Sequence, residues 1–280
     1  MKFSIITPSL NQGRFLGECL DSVRAQRVSK PEGCLEVEHI VADGGSTDES
    51  LPLLKSCPDV TWISEPDGGQ SDAINKGLKL SNGEILAYLC ADDFYEPGAL
   101  AAVERAFAAH PEADVVYGDY YFMEGASRWK RLKRAGVFSV KRLRKGNFLG
   151  QPSVFWRRRV YEKFGGFDAG LKYCMDHEFW LRICGASTWH YLQEPLAICR
   201  LHLDSKTSSQ LVAMWDEAAV MGERYGVEPA LKRQACRMRM GGQWYYWAKR
   251  RLFEWIGKRI QSRAKKNFLQ ERREDRKADD

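Results

Sequence analysis

Between residues 3 and 119 this chain alternates short apolar runs with amphipathic segments, and that alternation leaves few folds open. Runs at 3–7, 38–42, 60–64, 84–90 and 114–119 have the length of strands, and helical patterns at 14–25, 47–56, 71–80 and 97–109 separate them. In 14–25, Phe15, Cys19, Leu20 and Val23 recur at helical spacing and predict one buried face. Strands separated by helices of this length form βαβ units with a largely parallel sheet. Ligands of such sheets bind at the carboxyl ends of the strands. Polar residues gather at those ends: Thr7-Pro8-Ser9, the stretch 43–48, the stretch 65–70, and Asp92-Asp93. Glycines there permit close backbone approach to a ligand. The hydroxyls and carboxylates suit a base, a ribose and a metal-bound diphosphate. No G-x-G-x-x-G follows the first strand and no G-x-x-x-x-G-K-[ST] occurs, which sets aside dinucleotide and P-loop sites.

Asp92-Asp93 closes the most apolar of these runs, Glu84 to Cys90. Two adjacent carboxylates at the mouth of a buried strand cost on the order of several kcal/mol each unless paired or metal-bound. A hard divalent cation that also holds phosphate oxygens is one such partner. The plainer reading is a cap on the next helix, or a solvated turn.

At 280 residues the chain can bury a large core. No apolar run reaches membrane-spanning length, and the N-terminus turns polar too soon for a signal peptide, so a cytoplasmic location is expected. Eight cysteines are scattered without a C-x-x-C pair, which points to free thiols rather than zinc or a disulfide scaffold. Charge is strongly segregated. Residues 1–127 hold 9 cations against 21 anions, whereas 128–159 hold 12 cations and no anion. Residues 228–280 are basic again, with 16 cations against 7 anions. Such blocks meet an anionic partner or form a solvated basic face.

Several elements recur together in the order of a known family. They are residues 5–11 (Ile-Ile-Thr-Pro-Ser-Leu-Asn), 41–48 (Val-Ala-Asp-Gly-Gly-Ser-Thr-Asp), 65–77 and Ala91-Asp92-Asp93, followed by Gln151-Pro152-Ser153, 175–182 and Arg200-Leu201-His202. Over residues 3–205 the sequence resembles a family 2 glycosyltransferase of GT-A fold, of the sort that builds bacterial surface polysaccharides. The resemblance implies an α/β, Rossmann-like, mostly parallel sheet flanked by helices. Residues 1–120 would be its nucleotide-sugar-binding half and 121–210 its acceptor-binding, catalytic half, followed by a basic helical extension at 211–280. It implies that Thr7, Ser9, Asp43, Asp72, Asn75, Lys76 and Asp92 contact the nucleotide of a donor, UDP-linked as the first expectation. Asp93 and His202 would serve a divalent metal, Mn2+ or Mg2+, and Asp176 would be the general base of an inverting transfer. Gln151 and Glu178 are candidates for contact with a glycan or lipid-linked glycan acceptor. Two departures stand out. Many relatives carry two acids where this chain has Met175-Asp176, and two Asp residues where it has Asp43-Gly44. Asp176 also reads as the N-cap of a helix at 177–184.

Residues 241–266 interleave Trp244, Tyr245, Trp247, Phe253 and Trp255 with Lys and Arg. That pattern fits a helix in the interface of an anionic membrane, and equally a helix packed on the core or on a second subunit. No nucleic-acid fold accompanies the charge. The competing classes are a sugar nucleotidyltransferase, which shares the nucleotide-binding half, and a non-catalytic membrane-binding module.

Overall fold

The computed structural model describes residues 1–27, 29–30, 33–124, 128–202, 205 and 210–227, with isolated positions at 232, 233, 235, 236 and 251. The expected helix at 241–266 and the charged tail beyond 267 lie outside the described residues. In chain order the elements begin with β1 (Lys2–Ser9), α1 (Gly13–Arg24), β2 (Ser29–Lys30), β3 (Gly33–Cys34), β4 (Glu36–Asp43), α2 (Ser50–Lys55) and β5 (Thr61–Ser64). Then come α3 (Gln70–Leu80), β6 (Ile85–Tyr88), β7 (Phe94–Tyr95), α4 (Ala99–Ala109), β8 (Val115–Glu124) and β9 (Trp129–Lys133). The second half continues with α5 (Val140–Leu143), a 3-10 turn at Gln151–Ser153, β10 (Val154–Arg157) and α6 (Arg158–Phe164). It ends with α7 (Met175–Ile183), β11 (Trp189–Leu201) and α8 (Leu211–Arg224).

One nine-stranded sheet runs in the order β5-β4-β1-β6-β10-β8-β11-β7, with β9 paired to β8. The first four strands are parallel, as the βαβ pattern requires. Beyond β6 the sheet is mixed: β10 pairs antiparallel with both β6 and β8, and β8 runs parallel to β11. The expectation of a mostly parallel sheet therefore holds for the first half only. Strand β10 had no sequence signal because three arginines at 157–159 follow its buried Phe155 and Trp156. Strand β11 was hidden by Glu194-Pro195, where the register slips against β8.

From β1 the chain steps outward to β4 and β5, then returns to place β6 on the other side of β1. That reversal opens a crevice between the carboxyl ends of β1 and β6, where open α/β sheets bind ligands. Register aligns those ends: Ser9 sits opposite Asp43, and Asp43 opposite Ser64. Helix α1 buries Leu16, Cys19, Leu20 and Val23. Phe15, expected inward, instead stacks near the crevice, its ring centroid 4.7 Å from that of His202. Helix α2 starts three residues later than its pattern suggested. Asp48 is the cause, because its carboxylate accepts the N–H of Ser50 (3.0 Å) and of Gly13 (2.8 Å) and holds 44–48 as a loop.

Candidate active site

A cleft of about 510 Å³ opens at the carboxyl edge of β1 and β6 and extends beneath α7 and the end of β11. Its lining includes Ser9, Gln12 and Asp67 on one wall, Cys90, Asp92 and Asp93 on the floor, and Gln151, Asp176 and His202 around the other side. Thus Ser9, Asp92, Asp93, Gln151, Asp176 and His202, scattered over nearly 200 positions, share one cavity.

Three strands converge on the carboxylate pair. Asp92 and Asp93 lie in the short link from β6 to β7, and β7 pairs with β11 through Phe94–Ile198 and Tyr95–Ala197. This pairing carries the end of β11 back over the acids. The Arg200 N–H donates to Asp93 Oδ1 at 2.8 Å, and Arg200 Nε donates to the Asp92 carbonyl at 2.9 Å. His202 Nε2 donates to Asp92 Oδ2 at 2.9 Å. Arg200 is itself held by Glu18 at 2.5 Å. Burial, then the adjacent Asp92 charge, push the Asp93 carboxyl well above the ordinary carboxylate range, while Arg200 pulls the other way.

Oxygen atoms of both acids and the Cys90 thiol lie within 4.8 Å of one another. Hard divalent cations take oxygen, and sulfur suits softer metals. The thiol is engaged elsewhere: it donates to Gln151 Oε1 (3.7 Å) and accepts from Gln70 Nε2 (3.1 Å). The two carboxylates therefore form the oxygen donor set, and a cation there would offset the repulsion that raises Asp93. The residues fit a hard divalent cation.

Asp176 lies in the first turn of α7, with Cys174 as the N-cap residue, so the expectation that Asp176 itself caps the helix is replaced by another arrangement. Its Oδ1 accepts the His177 N–H (2.7 Å) and its Oδ2 accepts Asn147 Nδ2 (2.8 Å). These bonds favour the anion, yet burial outweighs them and pushes the carboxyl up to about 6. Upstream, one carboxylate fixes the approach to α7: Glu217 on α8 accepts the N–H groups of Lys172 (2.8 Å), Tyr173 (2.7 Å) and Cys174 (2.8 Å). Removing it orphans three donors, so Glu217→Ala is expected to cost about 2–3 kcal/mol in denaturant unfolding. Nucleotide binding should be less affected than turnover, because Glu217 anchors the Asp176 side alone.

On the nucleotide wall, Ser9 is 4% exposed and its Oγ finds no partner among the described residues. Gln12 Oε1 shares that condition. Buried polar atoms left this way at a cleft are poised for a ligand. Asp43, by contrast, spends both carboxylate oxygens within the protein, on the N–H groups of Gly45 (3.1 Å) and Ser46 (2.9 Å) and the hydroxyls of Ser46 (2.5 Å) and Ser64 (2.7 Å). It shapes the loop beside the cleft. Gly44 is needed there because a Cβ would come within 2.6 Å of Asp67 Oδ2. Asp67 thus occupies the space that a second acid after Asp43 would use.

Other candidates stand behind the lining. Thr7 Oγ1 shares a 2.9 Å hydrogen bond with His39 Nε2, inside the sheet, and burial drives that imidazole down to about 3 and keeps it neutral. Asp72 accepts the Gly68 N–H (3.0 Å), while Lys76 reaches the Pro66 carbonyl (3.0 Å) and Glu65 (2.8 Å), so both lace the 65–70 loop. Asn75 exchanges two 2.8 Å bonds with the Phe167 backbone and ties the halves of the molecule together. Glu178 is buried against Arg182 (2.9 Å) and the Tyr225 hydroxyl, on the helix side away from the cleft. Thr7, Asn75 and Glu178 therefore make no contact with the cleft lining that would place them on a substrate; their polar atoms support the walls. Asn147, Arg200, Gln70 and Glu217 were missed, since each acts through a backbone or side-chain partner distant in sequence.

Comparison with known proteins points one way. The family model described as Glycosyl transferase family 2 matches residues 4–170. A PGL/p-HBAD biosynthesis glycosyltransferase of Mycobacterium bovis is 33% identical over 186 residues, covering 64% of this chain and 68% of that protein. An uncharacterized glycosyltransferase of Rickettsia typhi is 28% identical over 228 residues, 76% of this chain and 68% of the relative. Among solved structures, S. aureus TarS 1-349 in complex with UDP-GlcNAc has a TM-score of 0.64 at 19% identity, and the match covers 79% of this chain and 65% of that one. The mannosyltransferase PcManGT from Pyrobaculum calidifontis, in complex with GDP-Man and Mn2+, has a TM-score of 0.54 at 17% identity, covering 86% and 79%. At such identities the structural matches speak for the fold, which is the α/β arrangement the sequence resemblance implied.

Proposed function

Because this chain belongs to glycosyl transferase family 2, we propose that it moves a sugar from a nucleotide-sugar donor, UDP-linked, to a hydroxyl of a glycan or lipid-linked glycan, with inversion at the anomeric carbon. The observation that carries this reading is the shared cleft of two separate acid groups: Asp92-Asp93 with its donor set for a cation, and Asp176 with its raised pKa. Ser9 and Gln12 offer their unpartnered oxygens to the nucleoside, and Asp67 lies beside them. Asp43, Asp72 and Lys76 hold the loops that shape this wall. Asp93 and Asp92 would hold the divalent cation, with His202 orienting Asp92 from the far side. When bound, that cation supplies Lewis-acid neutralisation of the charge on the departing diphosphate.

Asp176 takes the proton from the acceptor hydroxyl as that oxygen attacks the anomeric carbon. A base held near the working pH suits this task. Asn147 and the His177 N–H keep its carboxylate oriented, and Gln151 fixes the adjoining wall by donating to the Tyr88 carbonyl at 2.6 Å. One carboxylate on the acceptor side is sufficient for a single displacement.

Two tests follow. With a panel of nucleotide-sugars, the productive donor should yield nucleoside diphosphate in step with glycosylated product. Release of pyrophosphate would assign a nucleotidyltransferase instead. The pH profile should show an acid limb with an apparent pKa near 6, because the Asp176 carboxyl must be ionised to accept a proton. Stability has the opposite sign. The folded-state value of about 6 exceeds the ordinary 3.8, so the folded protein binds this proton more tightly than the unfolded chain does. Its stabilising contribution is full below about pH 4 and lost as pH rises through about 6.

No helix among the described residues is long and apolar enough to cross a membrane.

A further inference from the structure

Strand β9 is an edge strand that pairs only with β8, and all five of its residues are exposed. Its register sets Lys133 opposite Tyr120 and Arg131 opposite Phe122, and both of those β8 aromatics line the cleft. Side chains directly opposite share a sheet face, so Trp129, Arg131 and Lys133 continue the acceptor-side wall outward. The Arg131 guanidinium lies over the Phe122 ring, 5.8 Å from its centroid. Lys130 pairs with Glu96 at 2.6 Å, but no carboxylate pairs with Arg131, Lys133 or Arg134 among the described residues. Residues 128–159 contain no acid at all. Amid these cations, Trp129 is 46%, Leu132 40% and Val137 74% exposed.

Lysine and arginine on an edge strand can serve only to block pairing with another chain. A purely protective edge has no use for an exposed Trp and Leu between the cations. Tryptophan with basic residues is instead the composition of surfaces that sit among lipid headgroups, the aromatic ring at the interface and the cations on phosphates.

We propose that β9 is a membrane-facing lip of the cleft, binding the phosphates of an anionic lipid surface through Arg131 and Lys133 while Trp129 and Leu132 enter the headgroup layer. The acceptor side of the cleft then faces the membrane, and the acceptor class it serves is a hydroxyl carried on a phosphate-bearing lipid. The membrane contact itself stands without the glycosyltransferase reading; the acceptor assignment rests on it.

The test is co-sedimentation of the full chain with phosphatidylcholine vesicles, with and without phosphatidylglycerol. Wild type is expected to bind the anionic vesicles. Arg131→Gln with Lys133→Gln should weaken that binding roughly thirtyfold, each cation near an anionic surface being worth about a factor of five. Trp129→Ala with Leu132→Ala should weaken it about tenfold through lost apolar burial. Lys79→Gln with Lys163→Gln, which removes two exposed cations elsewhere, should change it less than twofold by comparison, that pair lying off the proposed surface. Stabilisation by UDP should be the same in every variant, which verifies folding and reads the donor site separately. Unchanged vesicle binding in either β9 pair overturns the proposal; loss in the charge pair alone would describe a site for a soluble anion. Absence of UDP stabilisation in wild type would overturn the donor reading and leave the vesicle result standing.

Discussion

Asp176→Asn is expected to lower transfer by about 10²–10⁴-fold while leaving UDP-dependent stabilisation within about twofold of wild type, the range expected for loss of a positioned general base. The amide is close in shape, so it can keep the His177 N–H bond and stay near Asn147. What it loses is the capacity to accept the hydroxyl proton. Burial pushes the Asp176 carboxyl up to about 6 despite two bonds that favour its charge, so the anion is held at a cost to the fold. The same substitution should therefore remove the acid limb of the pH profile and raise stability modestly at neutral pH, where the wild-type charge is desolvated. A variant that kept its activity would exclude Asp176 as the base.

Asp93→Asn is expected to have the other large effect, a loss of about 10²–10³-fold in transfer, as when one preorganised stabiliser of transition-state charge is removed. Its signature differs from that of Asp176→Asn. In wild type, Mn2+ should deepen the thermal stabilisation given by UDP, because each ligand binds the folded state. In Asp93→Asn the metal increment should vanish while a weaker metal-free effect of UDP remains. Neutralising Asp93 also relieves its repulsion with Asp92 and its burial cost, so the apo-protein should become more stable rather than less. Loss of activity together with a gain in stability would be hard to attribute to misfolding.

Much of the first half was legible because its strands are buried on both faces. The residues of β1 from Phe3 to Ser9, and β6 from Ile85 to Tyr88, are buried throughout and read as continuous apolar runs. The acids that follow such runs were conspicuous for the same reason. Strands β10 and β11 were not legible, because arginines and Glu194-Pro195 interrupt their patterns while the partner strands supply the burial. Asp176 was found by its motif, but Asn147 and Glu217, which orient it, act on an amide contact and on backbone N–H groups 29 and 43–45 positions away. No periodicity encodes such contacts. Thr7, Asn75 and Glu178 show the converse: a polar residue at the mouth of a strand or in the first turns of a helix can serve the scaffold, and only the position of its partner reveals which.

The most direct test of the central claim is a crystal structure with UDP and Mn2+ bound, the metal located by its anomalous signal. The account predicts a Mn2+ peak on the Asp93 carboxylate, the diphosphate between it and the Asp176 side of the cleft, and the nucleoside against Ser9, Gln12 and Asp67. Nucleotide bound outside this cleft, or a diphosphate remote from Asp92 and Asp93, would contradict it.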